Sequence, residues 1–473
     1  MRSASSIVVW VGVLVPALVC ARAHAQDYSA PGPYPVGVRT VTVTRPNATT
    51  YTARLSYPAA SAGSGTPFAT AAAPAAAISF GHGFVQPTTQ YATTIDHLAS
   101  WGFIVIAPNS ETGLFPSHAN FASDLRHALT YLEQQTAVPG SFLQNSVDTA
   151  RFGMSGHSMG GGASILATAD DARVRALANL AAAETTPSAV SAMARVHVPV
   201  SLIAGNADTI VPVANHGQLM YNAGAAPKLL PVISGGFHCG FTDATFFGCD
   251  SSPTLSRAQQ LAVTRRLLAQ FFLLTLRGQQ QTWGEVWGPA AATDAQVNFA
   301  QRDPGITLTP SAAAVSGEPG LESQTVLGVM NTASLPRLFT MFAEPRGAPM
   351  VASVEPVVTG VVAPGATSVV TVRLPFPPAG GTLPISVVIS ARADDGSTRG
   401  FSTLSPEWLC SPDYNNDGLF PDTADIDDFL SVFSGGPCST GACGDIDFNN
   451  DGLFPDTQDI DSLLSVFSGG PCL

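Results

Sequence analysis

The 473 residues predict an α/β protein: a mostly parallel sheet with helices on both faces, followed by a β-sandwich and a small repeat tail. Three observations point there. Strand-like and helix-like stretches alternate through residues 26–300. Short β-rich runs separated by Pro/Gly turns replace them over 303–408. An internal repeat then fills 409–473.

The first 25 residues stand apart from the fold. Arg2 is followed by an apolar run from Ile7 to Cys20, broken by Gly12 and Pro16. Ala23-His24-Ala25 then offers a small-residue cleavage site, so the segment reads as a secretory signal peptide with a mature start near Gln26. The run is too short to span a bilayer. The expected location is secreted or cell surface, with no transmembrane segment in the mature chain.

Val38–Thr44 and Tyr51–Tyr57 alternate like paired strands, and a Gly/Ser/Pro/Ala-rich loop follows at 59–75. Ala76–Phe80 is a short apolar strand, 88–100 a helix, and Phe103–Ala107 a buried strand. A helix is expected at 119–135 and a strand at Arg151–Ser155. Val174–Ala181, Val198–Ala204 and Leu229–Ser234 continue the strand series. The last helix runs from an N-cap at Ser256 to Gly278. Residues 279–302 show little periodicity and read as a linker. The runs Thr325–Met330, Leu338–Phe342, Val351–Thr359, Thr367–Leu374 and Ile385–Ala391 suggest an immunoglobulin-type sandwich.

Charge is unevenly distributed. The net charge is −13, and the segment from Leu409 onward carries −12 of it: twelve Asp, no Glu, Lys or Arg. No basic patch exists for nucleic acid. Cys20 leaves with the signal, so six cysteines remain: Cys239, Cys249, Cys410, Cys438, Cys443 and Cys472. An even number in an exported chain favours disulfides, and no pair has zinc spacing.

The chemistry centres on Gly156-His157-Ser158-Met159-Gly160. Ser158 falls between a strand and a helix, the setting of a nucleophile elbow. The two glycines remove side chains that would clash in so tight a turn. Met159 puts a backbone N–H at a helix N-terminus, where negative charge is favoured. Asp208 lies just past the strand at Val198–Ala204, and His238 just past the strand at Leu229–Ser234. The order Ser158, Asp208, His238 suits a nucleophile, an orienting acid and a general base in this architecture. A second oxyanion donor is expected from the turn Gly81-His82-Gly83-Phe84, at the Phe84 N–H. His82, His157, His216, Asp170, Asp171 and Glu184 are weighed and set aside, with His157 expected to point away from the serine.

These pieces resemble the polyester hydrolase and cutinase-like branch of the α/β-hydrolases, near dienelactone hydrolases. They are "GHGF" at 81–84, "LASWGFIVIAP" at 98–108, "RFGMSGHSMGGGAS" at 151–164, "VPVSLIAGNADTIVPV" at 198–213 and "ISGGFHCGF" at 233–241. The first two are also similar to plant chlorophyllases. The likeness covers roughly residues 75–275. It implies carboxylic ester hydrolysis through an acyl-enzyme, with no cofactor for catalysis. It makes Ser158 the nucleophile, His238 the base, Asp208 the orienter, and Phe84 and Met159 the oxyanion donors. The bacterial polyester hydrolases carry a Trp downstream of the serine, where this chain has Leu180-Ala-Ala-Ala-Glu184. Cys239 and Cys249 flank the His238 loop and are expected to pair.

In the tail, "DYNNDGLFPDTADIDDFLSVFSGGPC" from Asp413 recurs 34 residues later as "DFNNDGLFPDTQDIDSLLSVFSGGPC" from Asp447. Asp413, Asn415, Asp417 and Gly418 match the first half of a calcium loop, as do Asp447, Asn449, Asp451 and Gly452. Asp422 and Asp425, or Asp456 and Asp459, are candidates to complete each shell. The repeats resemble dockerin-type EF-hand-like modules, which implies Ca²⁺ and a cohesin-like or cell-surface partner. Cys410 with Cys438, and Cys443 with Cys472, are suggested pairs, although four cysteines allow other connectivities.

The expected function is a secreted serine ester hydrolase acting on a small, lipid or polyester substrate. The alternatives are a peptidase of the same fold, or a non-catalytic extracellular adhesion protein on a hydrolase-like scaffold.

Overall fold

The computed structural model describes residues 26–473 apart from 251–253, 318–319, 379–381, 396–398, 409–412, 416, 418, 420–421, 442, 445, 449–455 and 469–473. The expected signal peptide, Cys410, Cys472, Asn449 and Asp451 therefore lie outside the described residues. Among the described residues, no helix is long and apolar enough to cross a membrane.

Ten strands form the first sheet: β1 (Val36–Thr44), β2 (Thr50–Pro58), β3 (Gly63–Ser64), β4 (Ala75–Gly81), β5 (Ile104–Pro108), β6 (Val147–His157), β7 (Val174–Leu180), β8 (Val200–Gly205), β9 (Lys228–Ile233) and β10 (Val297–Asp303). Their order is β10-β9-β8-β7-β6-β4-β5-β2-β1-β3. The central six, from β5 across to β9, run parallel. β2 joins β5 antiparallel, and β10 joins β9 antiparallel.

The parallel strands read as unbroken apolar runs because both of their faces are covered. Alternate residues serve opposite layers. Ala77, Ile104, Ile106, Phe152 and Met154 pack against α2 (His118–Ala137) and α3 (Met159–Ala169); α1 (Ala92–Ser100) lies on the other face. There Ile78, Phe80, Val105 and Ala107 meet α1 and α6 (Arg257–Arg277); the short α4 (Ala189–Ala192) and α5 (Gly217–Ala223) fall between α3 and α6 in the chain. α6 has the expected ends. Ser256 and Gln259 form a capping box, and Gly278 closes the helix at φ 66°.

Residues 279–302 are not a linker. They contain α7 (Trp283–Val286), α8 (Pro289–Ala292) and most of β10, whose Val297 and Phe299 join the core shared with α6. Helices of four residues are too short to show a period, which is why the sequence looked featureless there.

Eight strands follow: β11 (Ile306–Pro310), β12 (Ala314–Gly317), β13 (Glu322–Asn331), β14 (Phe339–Arg346), β15 (Ser353–Glu355), β16 (Thr367–Pro375), β17 (Ser386–Ala393) and β18 (Arg399–Trp408). They make two four-stranded sheets, β11-β13-β16-β15 and β12-β18-β17-β14. Leu327, Val329, Val370 and Val372 from one sheet share a core with Ile389 and Leu404 from the other. The alternating burial of β13 and β16 is what a sheet with one wet face requires. The first sheet's unit touches this one through Trp283 on Phe401, with ring centroids 4.3 Å apart. Beyond it, α9 (Thr423–Phe433) and α10 (Thr457–Phe467) pack around Tyr414, Phe429, Phe448 and Leu463.

Candidate active site

Four loops leave the same sheet edge, at the C-terminal ends of β4, β6, β8 and β9. This is the edge where open α/β sheets hold ligands. The ladder aligns them: Gly81 is opposite Gly156, and Gly205 is opposite Ile233.

Ser158 occupies the one-residue junction between β6 and α3, at φ 55° and ψ −119°. A non-glycine residue there costs on the order of 1–3 kcal/mol, so the surroundings must over-determine it. They do. The Ser158 N–H donates to Leu180 O at 3.0 Å, and its carbonyl accepts from Ala183 N at 2.9 Å and Gly162 N at 3.1 Å. The flanking glycines are steric necessities. A Cβ on Gly160 would sit 2.3 Å from the Gly81 carbonyl, and one on Gly156 would sit 2.4 Å from Gly160 O.

Asp208 and His238 are both buried, and Asp208 Oδ2 lies 2.8 Å from His238 Nδ1. The other carboxylate oxygen accepts from Ile210 N at 2.9 Å and Val211 N at 2.7 Å. With Oδ1 held by two amides, Oδ2 has a fixed aim, and it sets the tautomer with the proton on Nδ1. Nε2 of His238 is then the basic nitrogen. Among the described residues neither it nor Ser158 Oγ has a hydrogen-bond partner, and both residues line one cavity of about 630 Å³.

His238 is held from both sides by residues the sequence did not single out. Asp250 accepts from His238 N at 2.6 Å and from Cys239 N at 3.1 Å. Gln260, buried on α6, accepts from Phe237 N at 3.0 Å and donates to Phe237 O at 2.8 Å. Cys239 pairs with Cys249 as expected, closing the intervening loop.

Phe84 follows β4 in a turn where Gln86 N donates to Gly83 O at 3.1 Å. Met159 opens α3, where the first N–H groups have no intrahelical acceptor. Phe84 lines the cavity, and Met159 directly follows Ser158 in the chain. His82 is buried, with Nδ1 2.8 Å from Gly83 O and Nε2 2.7 Å from Ser110 O. It ties the Phe84 turn to the next loop, and burial lowers its pKa against the pull of those carbonyls.

His157 departs from expectation. It does not point away: it lines the cavity with Ser158, and its ring packs on His238. The left-handed turn at Ser158 redirects the chain, so alternation along β6 no longer predicts which way its last side chain faces. Burial first, and the neighbouring His238 second, push its pKa well below the usual histidine value.

The rest of the cavity wall is mostly apolar: Val85, Leu114, Ile210, Phe246 and Phe247 line it with Gln86 and Gly248, and Phe247 is fully exposed. The other acids and histidines set aside have local partners. Glu184 accepts from Val190 N at α4, His216 Nδ1 accepts from Glu184 N, and Asp171 pairs with Arg173. Asp170 faces Arg195.

In the tail, Asp413 Oδ1 and Asn415 Oδ1 both accept from Asp417 N, at 3.1 and 3.0 Å. Asp422 is the N-cap of α9, and Asp425 completes its capping box while also accepting from Asn415 N at 3.2 Å. Asp456 and Asp459 repeat the box at α10, with Asp459 accepting from Phe448 N at 2.8 Å. Cys438 pairs with Cys443, so the suggested partners Cys410 for Cys438 and Cys472 for Cys443 do not hold. The fold brings Cys443 back over α9, with the two Cα atoms 5.8 Å apart, inside the range a disulfide spans.

Residues 23–245 match the family described as PETase, PET hydrolase-like. Cutinase est1 of Thermobifida alba is 30% identical over 148 residues, 31% of this chain and 47% of that protein. Bis(hydroxyethyl) terephthalate hydrolase of Streptomyces coelicolor is 27% identical over 186 residues, 39% of this chain and 55% of that protein. Cutinase cut1 of Thermobifida fusca is 28% identical over 148 residues, 31% of this chain and 44% of that protein. The chain spans about half the length of the curated relatives it matches. With its sheet, its strained serine junction and these similarities together, the segment 23–245 is an α/β-hydrolase domain of the PETase-like and cutinase family.

Proposed function

We propose that this chain is an exported serine hydrolase of carboxylic esters, using Ser158, His238 and Asp208. The observation that carries the reading is the Asp208–His238 pair, 2.8 Å apart, opening onto the same apolar cavity as a serine held at φ 55°. His238 Nε2 takes the Ser158 proton as Oγ adds to the ester carbonyl. Asp208 stabilises the imidazolium that forms. The Phe84 and Met159 N–H groups receive the oxyanion. The imidazolium then protonates the leaving alcohol, the acyl-enzyme forms, and water repeats the sequence with His238 as base.

An apolar, open cavity suits an ester with an apolar acyl or alcohol part, and relatives named cutinase and bis(hydroxyethyl) terephthalate hydrolase point to polyesters. A scaffold kept only for adhesion would gain stability by relaxing Ser158, and here the strain is retained.

In the tail, Asp413, Asn415 and Asp417 gather oxygen donors of the kind a hard cation takes, and Ca²⁺ held there would brace the loop before α9. Asp447 would begin the second loop. Such a module suits attachment to a cohesin-like or cell-surface partner.

The test is a nitrophenyl butyrate assay with mass spectrometry of the trapped acyl-enzyme. Wild type should turn over and carry the acyl group on Ser158, and Ser158→Ala should do neither. Equal rates for the two would end the assignment.

A further inference from the structure

One buried hydroxyl connects three parts of this site. Tyr91 ends a 3-10 turn just before α1 and is wholly buried. Its Oη lies 2.9 Å from Gly83 N and 2.9 Å from His157 Nδ1. Gly83 can only donate, so the Tyr91 proton is left for His157 Nδ1, which must accept. His157 therefore carries its own proton on Nε2 and is neutral. The His238 backbone also acts on the His157 ring, raising its pKa against burial, and Nε2 itself has no hydrogen-bond partner among the described residues. The packing leaves no slack: a Cβ on Gly83 would lie 2.8 Å from Tyr91 Oη and 3.2 Å from His157 Nδ1. Phe80 seats the Tyr91 ring, with centroids 5.2 Å apart.

We propose that Tyr91 is a positioning residue of the hydrolytic site, its hydroxyl fixing both the turn that presents the Phe84 N–H and the tautomer of His157 beside the base. The inference rests on the roles given above to Ser158, His238 and Phe84. Two consequences follow from the geometry. Anchoring the Gly83 N–H keeps the next amide, Phe84, aimed at the cavity before substrate arrives, which is when oxyanion donors are most effective. Fixing the His157 proton on Nε2 gives the ring that packs 4.5 Å from His238 one defined polarity, while burial and the neighbouring His238 already disfavour its charged form.

Tyr91→Phe removes one oxygen and keeps the ring. For a soluble nitrophenyl ester, kcat should fall roughly tenfold to a hundredfold while KM stays within about threefold, the pattern of a displaced catalytic group. The ¹⁵N shifts of His157 should show the proton on Nε2 in wild type and a tautomer mixture in Tyr91→Phe. The wild-type spectrum needs no variant, so it tests the idea even if Tyr91→Phe does not fold. A wild-type proton on His157 Nδ1 would overturn the proposal. So would an unchanged kcat in folded Tyr91→Phe, or a loss confined to KM. Ser158→Ala is assayed alongside. If it remains active, the hydrolase reading falls and this inference with it; if it is dead while Tyr91→Phe is fully active, only the role of Tyr91 is lost.

Discussion

The rings of His157 and His238 lie 4.5 Å apart, inclined at 42°, and only one of them is built to take up a proton. His157 borders the cavity but is almost wholly buried, and burial pushes its pKa well below the usual histidine value. His238 has a carboxylate behind it and a cavity in front. In the mechanism proposed above Nε2 of His238 must be unprotonated to act as base, so the rate should be lost as pH falls. Because His157 stays neutral, the acid limb of log kcat/KM against pH should have a slope of about one, a single ionisation. A limiting slope of two would show that both histidines titrate in the working range.

Asp208 separates orientation from folding. Its Oδ1 accepts from Ile210 and Val211, while Oδ2 faces His238. Asp208→Asn can keep an oxygen toward the two loop amides but then turns an NH₂ toward His238 Nδ1. That favours the opposite tautomer, with the proton on the nitrogen that should act as base. The expected loss in kcat is on the order of 10³- to 10⁴-fold, with little change in melting temperature. A large drop in stability with modest kinetic loss would mean that Asp208 is chiefly structural.

Asp250 and the Cys239–Cys249 bridge hold the backbone of His238 rather than its ring. Asp250→Ala leaves the His238 and Cys239 amides without their carboxylate. A shift of the base of about an ångström would lower kcat/KM on the order of 10²-fold. Replacing both cysteines by serine opens a short loop and should cost on the order of 2–3 kcal/mol of stability. Chemical denaturation and nitrophenyl ester kinetics on the two variants would check both figures. If Asp250→Ala keeps full activity, the loop holds His238 without it.

The sheet and its edge were legible because parallel strands are written as continuous apolar runs and each ends in Gly or a polar turn. Phe80-Gly81, Ala204-Gly205 and Ser234-Gly235 mark three of the four exits. Ser158 was legible for a steric reason: glycines at 156 and 160 are demanded by backbone approaches of 2.3–2.4 Å. Tyr91, Asp250 and Gln260 were not legible. Each acts on a loop far from it in the chain or across a turn, and neither hydropathy nor spacing reports such a meeting. Gln260 looks like one more polar residue near the start of α6, yet it is fully buried and brackets Phe237. The direction of His157 was misread because a strand's alternation was carried one residue into a left-handed turn.

Histidine burial also ties stability to pH. His97 on α1 is buried, donates from Nε2 to Tyr28 O at 3.0 Å, and has its pKa pushed down to about 4, first by burial. The unfolded chain takes its proton near pH 6.5, so between that value and about 4 only the unfolded state is charged there. Stability is therefore present above pH 6.5 and lost as pH falls through this window. From pH 6.5 to 5 the loss attributable to His97 is about 2 kcal/mol. His97→Gln can keep a donor toward Tyr28 without adding a titration. Its melting temperature should fall less than that of wild type between pH 7 and pH 5, while the carboxylates contribute equally to both proteins. Parallel declines for the two would show that His97 is protonated in the folded state or reaches solvent before unfolding.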